Sequence, residues 1–199
     1  MIIKSILAGT FKLDGGGMFG VVPKKIWNKL IACDENNLCT WAMRCLYIEF
    51  NGKKILVDTG MGIKQSEKFK SHYEPHGNVD IRAALNAEKI LPESITDVWL
   101  THLHFDHVGG ALYFNEDQEL IRSMPNAKLW VHASQWQNAI SPNAREKASF
   151  LSENILPLEP DINFFQTIKS PFEHIDLIKL DGHTLGMVLP LIQFSKTKK

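Results

Sequence analysis

The stretch 101–110 reads THLHFDHVGG and carries four ligand-type side chains, His102, His104, Asp106 and His107, within six positions. Three of the chain's eight histidines fall there, a concentration that a merely polar loop does not explain. In an extended segment, residues two apart face the same way, so His102 and His104 can address one point. If the chain then bends, Asp106 and His107 can address a neighbouring one. Imidazole and carboxylate suit zinc, iron or manganese, and donor type alone does not choose among them. Gly109 and Gly110, next in line, allow close backbone approach and a tight start to whatever follows.

Working outward, residues 97–101 (DVWLT) form a short, mostly apolar run that reads as a strand leading into the histidines. Further upstream, residues 40–50 (TWAMRCLYIEF) and 54–58 (KILVD) flank Asn51-Gly52, a strong hairpin signal. Residues 2–7 are apolar and β-branched, a first strand, and Asp14-Gly15-Gly16-Gly17 is expected to break regular structure. Residues 63–77 read as a polar surface excursion in which His72 and His76 are solvated. Asp80 can cap a helix running to about Ile90, which Pro92 ends. Downstream, 128–132 is a strand ending at His132, and helices are expected at 134–140 and 142–156. Strands at 163–168, 175–180 and 187–194 complete a β-rich chain, with Pro190 making the last an edge or irregular strand and His174 on the surface. No repeat, linker or composition shift marks a boundary, so one domain is expected over residues 1–199.

Composition narrows the function. Lys+Arg and Asp+Glu both number 22, so the chain is neutral and has no global electrostatic attraction to nucleic acid or an anionic membrane. With 44% hydrophobic and 22% charged residues it is globular. No apolar run approaches the roughly 18–20 residues of a transmembrane helix. The N-terminus lacks the pattern of a signal peptide. Lys196, Lys198 and Lys199 are too few charges to suggest membrane or nucleic-acid binding. Cys33, Cys39 and Cys45, an odd set six residues apart, match no zinc or disulfide pattern; free, partly buried thiols in a reducing cytoplasm are expected.

The segment 102–107 resembles the H-x-H-x-D-H signature of the metallo-β-lactamase superfamily. Residues 55–60 (ILVDTG) are similar to the strand and turn that precede that signature, and 181–186 (DGHTLG) to the later block whose histidine is a ligand. Residues 15–27 (GGGMFGVVPKKIW) resemble the start of a lactonase-like branch that includes acyl-homoserine-lactone lactonases. The resemblance implies an α+β fold, the αββα sandwich. It assigns His102, His104 and His183 to one metal, Asp106 and His107 to a second, and Asp58 to orienting a ligand histidine. Met18 and Phe19, with Trp27, are implied to line an apolar substrate pocket, against plain core packing as the alternative. Ring nitrogens of three histidines drawn onto one zinc-like ion are expected about 3–4 Å apart.

The implied function is a metal-dependent hydrolase that opens a lactone or related ester with a metal-bound hydroxide, with Asp106 passing a proton to the leaving group. The implied cofactor is zinc, one or two ions, with iron or manganese as alternatives. No Asp, Glu or His follows His183. The bridging Asp and last His that the resemblance implies therefore have no residues to occupy, and the expected domain lacks its C-terminal strands and helix. Two alternatives follow: a single-metal or non-catalytic metal-binding protein, and a thioesterase or β-lactam-type amide hydrolase. The expected partner is a small-molecule ester or lactone. Neither nucleic acid nor membrane is expected, and an uncovered strand edge at 187–194 would favour self-association.

Overall fold

The structure is a computed structural model that describes residues 1–165 and 169–193. In chain order the elements are β1 (Ile2–Asp14), α1 (Gly15–Phe19), α2 (Lys24–Trp27), β2 (Leu38–Phe50), β3 (Lys53–Val57), α3 (Glu67–Tyr73), α4 (Ile81–Ala87), β4 (Asp97–Trp99), α5 (Phe105–Val108), β5 (Leu112–Phe114), β6 (Leu120–Arg122), β7 (Lys128–His132), α6 (Ala133–Ile140), α7 (Ser152–Ile155), β8 (Ile162–Phe165), β9 (Ile175–Leu180) and β10 (Met187–Ile192).

Six strands form one sheet in the order β1-β2-β3-β4-β7-β8. The β1–β2 and β2–β3 pairs are antiparallel. The β2–β3 turn is Asn51-Gly52, whose φ values of 44° and 73° meet the demand of a primed two-residue hairpin. From β3 onward the strands run parallel. The carboxyl ends of β3, β4 and β7 therefore lie along one edge, where open parallel sheets gather their functional loops.

Strand alternation sends successive side chains to opposite faces, and the two faces bury different partners. Leu56, Val98 and Leu129 face a core shared with α4, α5, α6 and α7 through Leu85, Val108, Trp136 and Ile155. Ile55, Val57 and Trp99 face the other way, onto Phe165, Phe172, Ile175, Leu177 and Val188. There the hairpin sheet β9–β10 forms a second β layer. The Trp99 indole N–H donates to the Val188 carbonyl (3.1 Å), tying the two sheets together. The fold is thus α+β, with helices, sheet and second sheet stacked in that order. No described helix is long and apolar enough to cross a membrane. Cys33, Cys39 and Cys45 are free, the last two buried.

Several expected elements differ. The glycine run at 15–17 is not a break but the start of α1, because the Asp14 carboxylate accepts from Gly17 N (2.8 Å) and caps it. Gly15 is required there: a Cβ would sit 2.4 Å from the Trp27 ring. The excursion 63–77 contains α3, capped by Ser66, whose Phe69 and Tyr73 pack on Phe105 at centroid distances of 5.0 and 4.6 Å. Its polar majority had masked that i, i+4 pair. The helix expected over 142–156 is instead a 3-10 turn at Lys147–Ser149 followed by α7. The Asn143 side chain captures the amides of Arg145 and Glu146 (3.0 and 3.1 Å), competing with helix formation. The hairpin β5–β6 had no sequence signal. Positions 166–168 and 194 of two expected strands, and the tail lysines, lie outside the described residues.

The turn after β3 and the glycines after α5 are pressed together. Gly110 N donates to Gly60 O (2.9 Å), and a Cβ on Gly110 would sit 2.1 Å from the Thr59 carbonyl oxygen. Gly110→Ala should therefore cost at least the ~1–3 kcal/mol of an overpacked core site. Chemical denaturation should show it against Gly17→Ala, where nothing lies within 4 Å of the added methyl and stability should hold or rise. Equal stability of the two variants would refute the close approach.

Candidate functional site

Just past β3, Asp58 adopts the left-handed conformation (φ 60°). Its backbone N–H donates to Trp99 O (2.9 Å), which aims the carboxylate under the turn that follows β4. There it accepts from Thr101 N (2.8 Å), Thr101 Oγ1 (2.7 Å) and His107 Nδ1 (2.8 Å). The left-handed state costs an L-residue about 1–2 kcal/mol. A single hydrogen bond to a charged group contributes about 1.5–3 kcal/mol, so three of them outweigh that strain.

The same contacts set a tautomer. A carboxylate only accepts, so the Thr101 hydroxyl spends its one proton on Asp58. Its oxygen must then accept from His102 Nδ1, 3.0 Å away, which leaves the lone pair on His102 Nε2. That nitrogen is buried and has no hydrogen-bond partner; neither has His104 Nε2. His104 begins α5, its carbonyl accepting from His107 N and Val108 N (2.9 and 3.0 Å), and its ring lies against Phe150 (4.7 Å). His183, on the exposed turn between β9 and β10, completes the group. Its ring centroid is 5.0 Å from that of His102 and 4.9 Å from that of His104. Ligand-type nitrogens of the three all lie within 4.8 Å of one another, a looser limit than the ~3–4 Å expected around one ion.

Burial, then the neighbouring histidines, holds His102 well below the usual histidine range and brings His104 down to about 4. Both are neutral at pH 7 with a lone pair to offer. His107 is different. Burial works against its charge, but Asp58 and Asp106 outweigh it and raise the group to about 9. Its Nδ1 is bonded to Asp58, and its Nε2 lies 3.5 Å from Asp106 Oδ2. Asp106 and His107 thus stand beside the three-histidine group, paired with each other, with the His107 ring centroid 3.9 Å from that of His102.

A small cavity opens on that side, bounded by Asp58, Asp106 and His107 and by Phe11, Met43, Arg44 and Cys45. Met18 and Phe19 are not among its walls. Phe19 stacks on the buried Trp27 (5.1 Å, 11°) and leans on Trp41 (5.7 Å), while Met18 is exposed. His132 is half-buried and caps α6, accepting from Ser134 N (3.2 Å). His72, His76 and His174 are exposed.

Sequence reasoning missed the support behind His183. Thr184 is buried, and its Oγ1 donates to Glu146 Oε2 (2.7 Å). Glu146 is buried too, and also accepts from Arg145 (2.9 Å), Asn138 (3.0 Å) and Asn143 (3.4 Å). Burial opposes its charge, but Arg145, Thr184 and the two amides prevail and pull it down to about 2. A lone Glu between Arg145 and Lys147 carries no pattern that would reveal this.

A family profile described as "Metallo-beta-lactamase superfamily" matches residues 44–188. Among solved structures, a probable metal-dependent hydrolase from Staphylococcus aureus matches with TM-score 0.87 and 28% identity, over 96% of this chain and 68% of that one. A dizinc quorum-quenching lactonase, solved with a product, matches with TM-score 0.75 and 20% identity, over 98% of this chain and 68% of that one. An N-acyl homoserine lactone hydrolase with product at its catalytic metal centre matches with TM-score 0.69 and 20% identity, over 98% and 71%. At that identity the two lactonases share the fold.

The Glu146 contacts have a pH signature. Because its folded pKa is depressed to about 2 from an ordinary 4.5, its stabilisation is complete above about pH 4.5 and fades as pH falls towards 2. The stability difference between wild type and Glu146→Gln in urea should be constant near neutrality and shrink across that acid window. A difference that did not change with pH would show that the charge is not what the network holds.

Proposed function

The chain belongs to the metallo-beta-lactamase superfamily, and on that premise we propose that it is a metal-dependent hydrolase acting on a lactone or a related ester. One observation carries the metal half of this reading. Two buried imidazole nitrogens, His102 Nε2 and His104 Nε2, have no hydrogen-bond partner. Buried polar atoms without partners are costly, and a cation is the natural recipient of two such lone pairs with His183 beside them. Three imidazoles with an open fourth position are a catalytic zinc set; iron or manganese could use the same donors. The ester half draws on the lactonases that share the fold.

In this proposal His102, His104 and His183 hold the first cation, and Asp106 with His107, once the Nε2 proton of His107 is released on binding, contributes to a second. A divalent cation bound there supplies Lewis-acid polarisation of a carbonyl oxygen and lowers the pKa of water. The chain's own groups do the rest. Asp58, through Thr101, fixes the His102 tautomer and orients His107. Asp106, lining the cavity, would take up the proton released by the attacking water and pass it to the leaving oxygen. Phe11 and Met43 give that cavity an apolar side. Residues 1–199 act as one domain.

A single-cation reading is favoured by one feature: among the described residues, only His102, His104 and His183 gather as a ligand group. Metal analysis and a substrate panel separate the readings. The protein should retain about one equivalent of zinc on dialysis, bind a second only at higher concentration, and hydrolyse a lactone or ester in preference to a thioester or β-lactam. Chelation should abolish the activity and reloading restore it. Metal retention with no hydrolysis of any panel member would leave a non-catalytic metal-binding protein. Asp106→Asn should lower hydrolysis at least ~100-fold and lose the second equivalent. Metal-free unfolding should stay within ~0.5 kcal/mol of wild type, as at sites away from core packing. A large loss of metal-free stability would make Asp106 structural.

A further inference from the structure

Two of the three gathered histidines are held within the β4–α5 segment, but His183 is not. It sits on an exposed turn, residues 181–186, joining the two strands of a hairpin sheet. An imidazole on such a turn sweeps a wide range of positions unless its backbone is pinned. Within the turn, Asp181 Oδ1 accepts from Gly186 N (2.8 Å), which closes the loop on itself but anchors it to nothing else. The turn is anchored outside itself by Thr184, 1% exposed between two exposed neighbours, and by Gly186, whose backbone presses on Ser134 and Gln135.

Every polar capacity of that hydroxyl is used. Thr184 Oγ1 donates to Glu146 Oε2 (2.7 Å) and accepts from Gln135 Nε2 (3.3 Å) and Asn138 Nδ2 (3.1 Å). Gln135 Nε2 also donates to Leu185 O (2.9 Å). Glu146 stands at the centre, since Asn138 donates to both its carboxylate (3.0 Å) and the Thr184 oxygen. Gln135 and Asn138 lie on α6, so the turn is bolted to a helix of the opposite sheet's covering layer.

We infer that Glu146 is a positioning residue: its buried carboxylate, acting through the Thr184 hydroxyl, holds turn 181–186 so that the His183 imidazole meets those of His102 and His104. This rests on the metal-dependent reading above for its purpose, but its geometry can be tested without metal.

The experiment measures zinc affinity by competition with a chromophoric chelator, and histidine ring resonances in the metal-free protein by NMR. It uses Glu146→Ala, Glu146→Gln, Thr184→Val, Thr184→Ser and the Glu146→Ala/Thr184→Val double variant. Glu146→Ala and Thr184→Val should each weaken zinc binding by ~10–100-fold, the loss typical of removing a ligand's support. The double variant should be no weaker than the weaker single, because both break one linkage. Thr184→Ser, which keeps the hydroxyl, and Glu146→Gln, which keeps an oxygen for it, should retain most of the affinity. In the metal-free protein, His183 resonances should move in Glu146→Ala and Thr184→Val while those of His72 and His174 stay put.

Wild-type affinity in Glu146→Ala, a double-variant loss equal to the product of the singles, or Glu146→Gln as weak as Glu146→Ala would each overturn the inference. If Glu146→Ala does not fold, Thr184→Val against Thr184→Ser decides, and equal affinities overturn it. If the wild type binds no divalent cation, the metal-dependent reading fails. Positioning by Glu146 then stands or falls on the His183 resonances alone.

Discussion

The carboxylate of Asp58 is the contact on which the rest of the site depends. It lies where β3 ends and β4's following turn passes overhead, and its acceptors take one backbone amide, one hydroxyl and one imidazole N–H. Because a carboxylate cannot donate, every proton in this set has only one direction to point. That direction propagates through Thr101 to His102 and leaves a bare nitrogen facing its neighbours. The geometry is held by the sheet as well. Asp58 N bonds to Trp99 O and Thr59 N to His107 O (2.9 and 2.8 Å), so the two turns are sewn to each other along their backbones.

This sewing explains why the glycines matter. The turn after β3 and the start of the 3-10 segment after α5 approach so closely that Gly109 and Gly110 face carbonyl oxygens of Met61 and Thr59 with no room for a side chain. Close approach delivers His107 to Asp58, with its ring beside that of His102. The covering helices and the second sheet bury opposite faces of the strands that carry these turns, so the strand ends cannot shift independently.

Two buried carboxylates thus serve two different parts of the histidine group. Asp58 sets the orientation of residues that are neighbours in sequence and already near one another. Glu146 bears on a residue nearly eighty positions away from His104, on a turn that also rests on α6 through Leu185 and Gly186. Side chains brought together from separate strand ends are oriented by such groups, as metal-ligating histidines generally are.

Much was legible in the residues alone. The pairing of His102 with His104 was legible in their i, i+2 spacing, Asn51-Gly52 dictates its hairpin, and Asp80 caps α4 by accepting from Arg82 N (3.0 Å). These depend on spacing, backbone sterics and short-range hydrogen bonds, which act within a few positions. His183 was legible only by resemblance. What tertiary structure alone decided are the long-range pairings. It determines that His107 is held between two carboxylates instead of standing free, and that Phe19 stacks on Trp27 away from the Asp106 cavity. It determines which nitrogen of His102 is left bare, and that Glu146 rather than another acid is buried against Thr184. Each depends on which strand end lies opposite which turn. That is settled by burial of whole sheet faces, and no local pattern of residues encodes it.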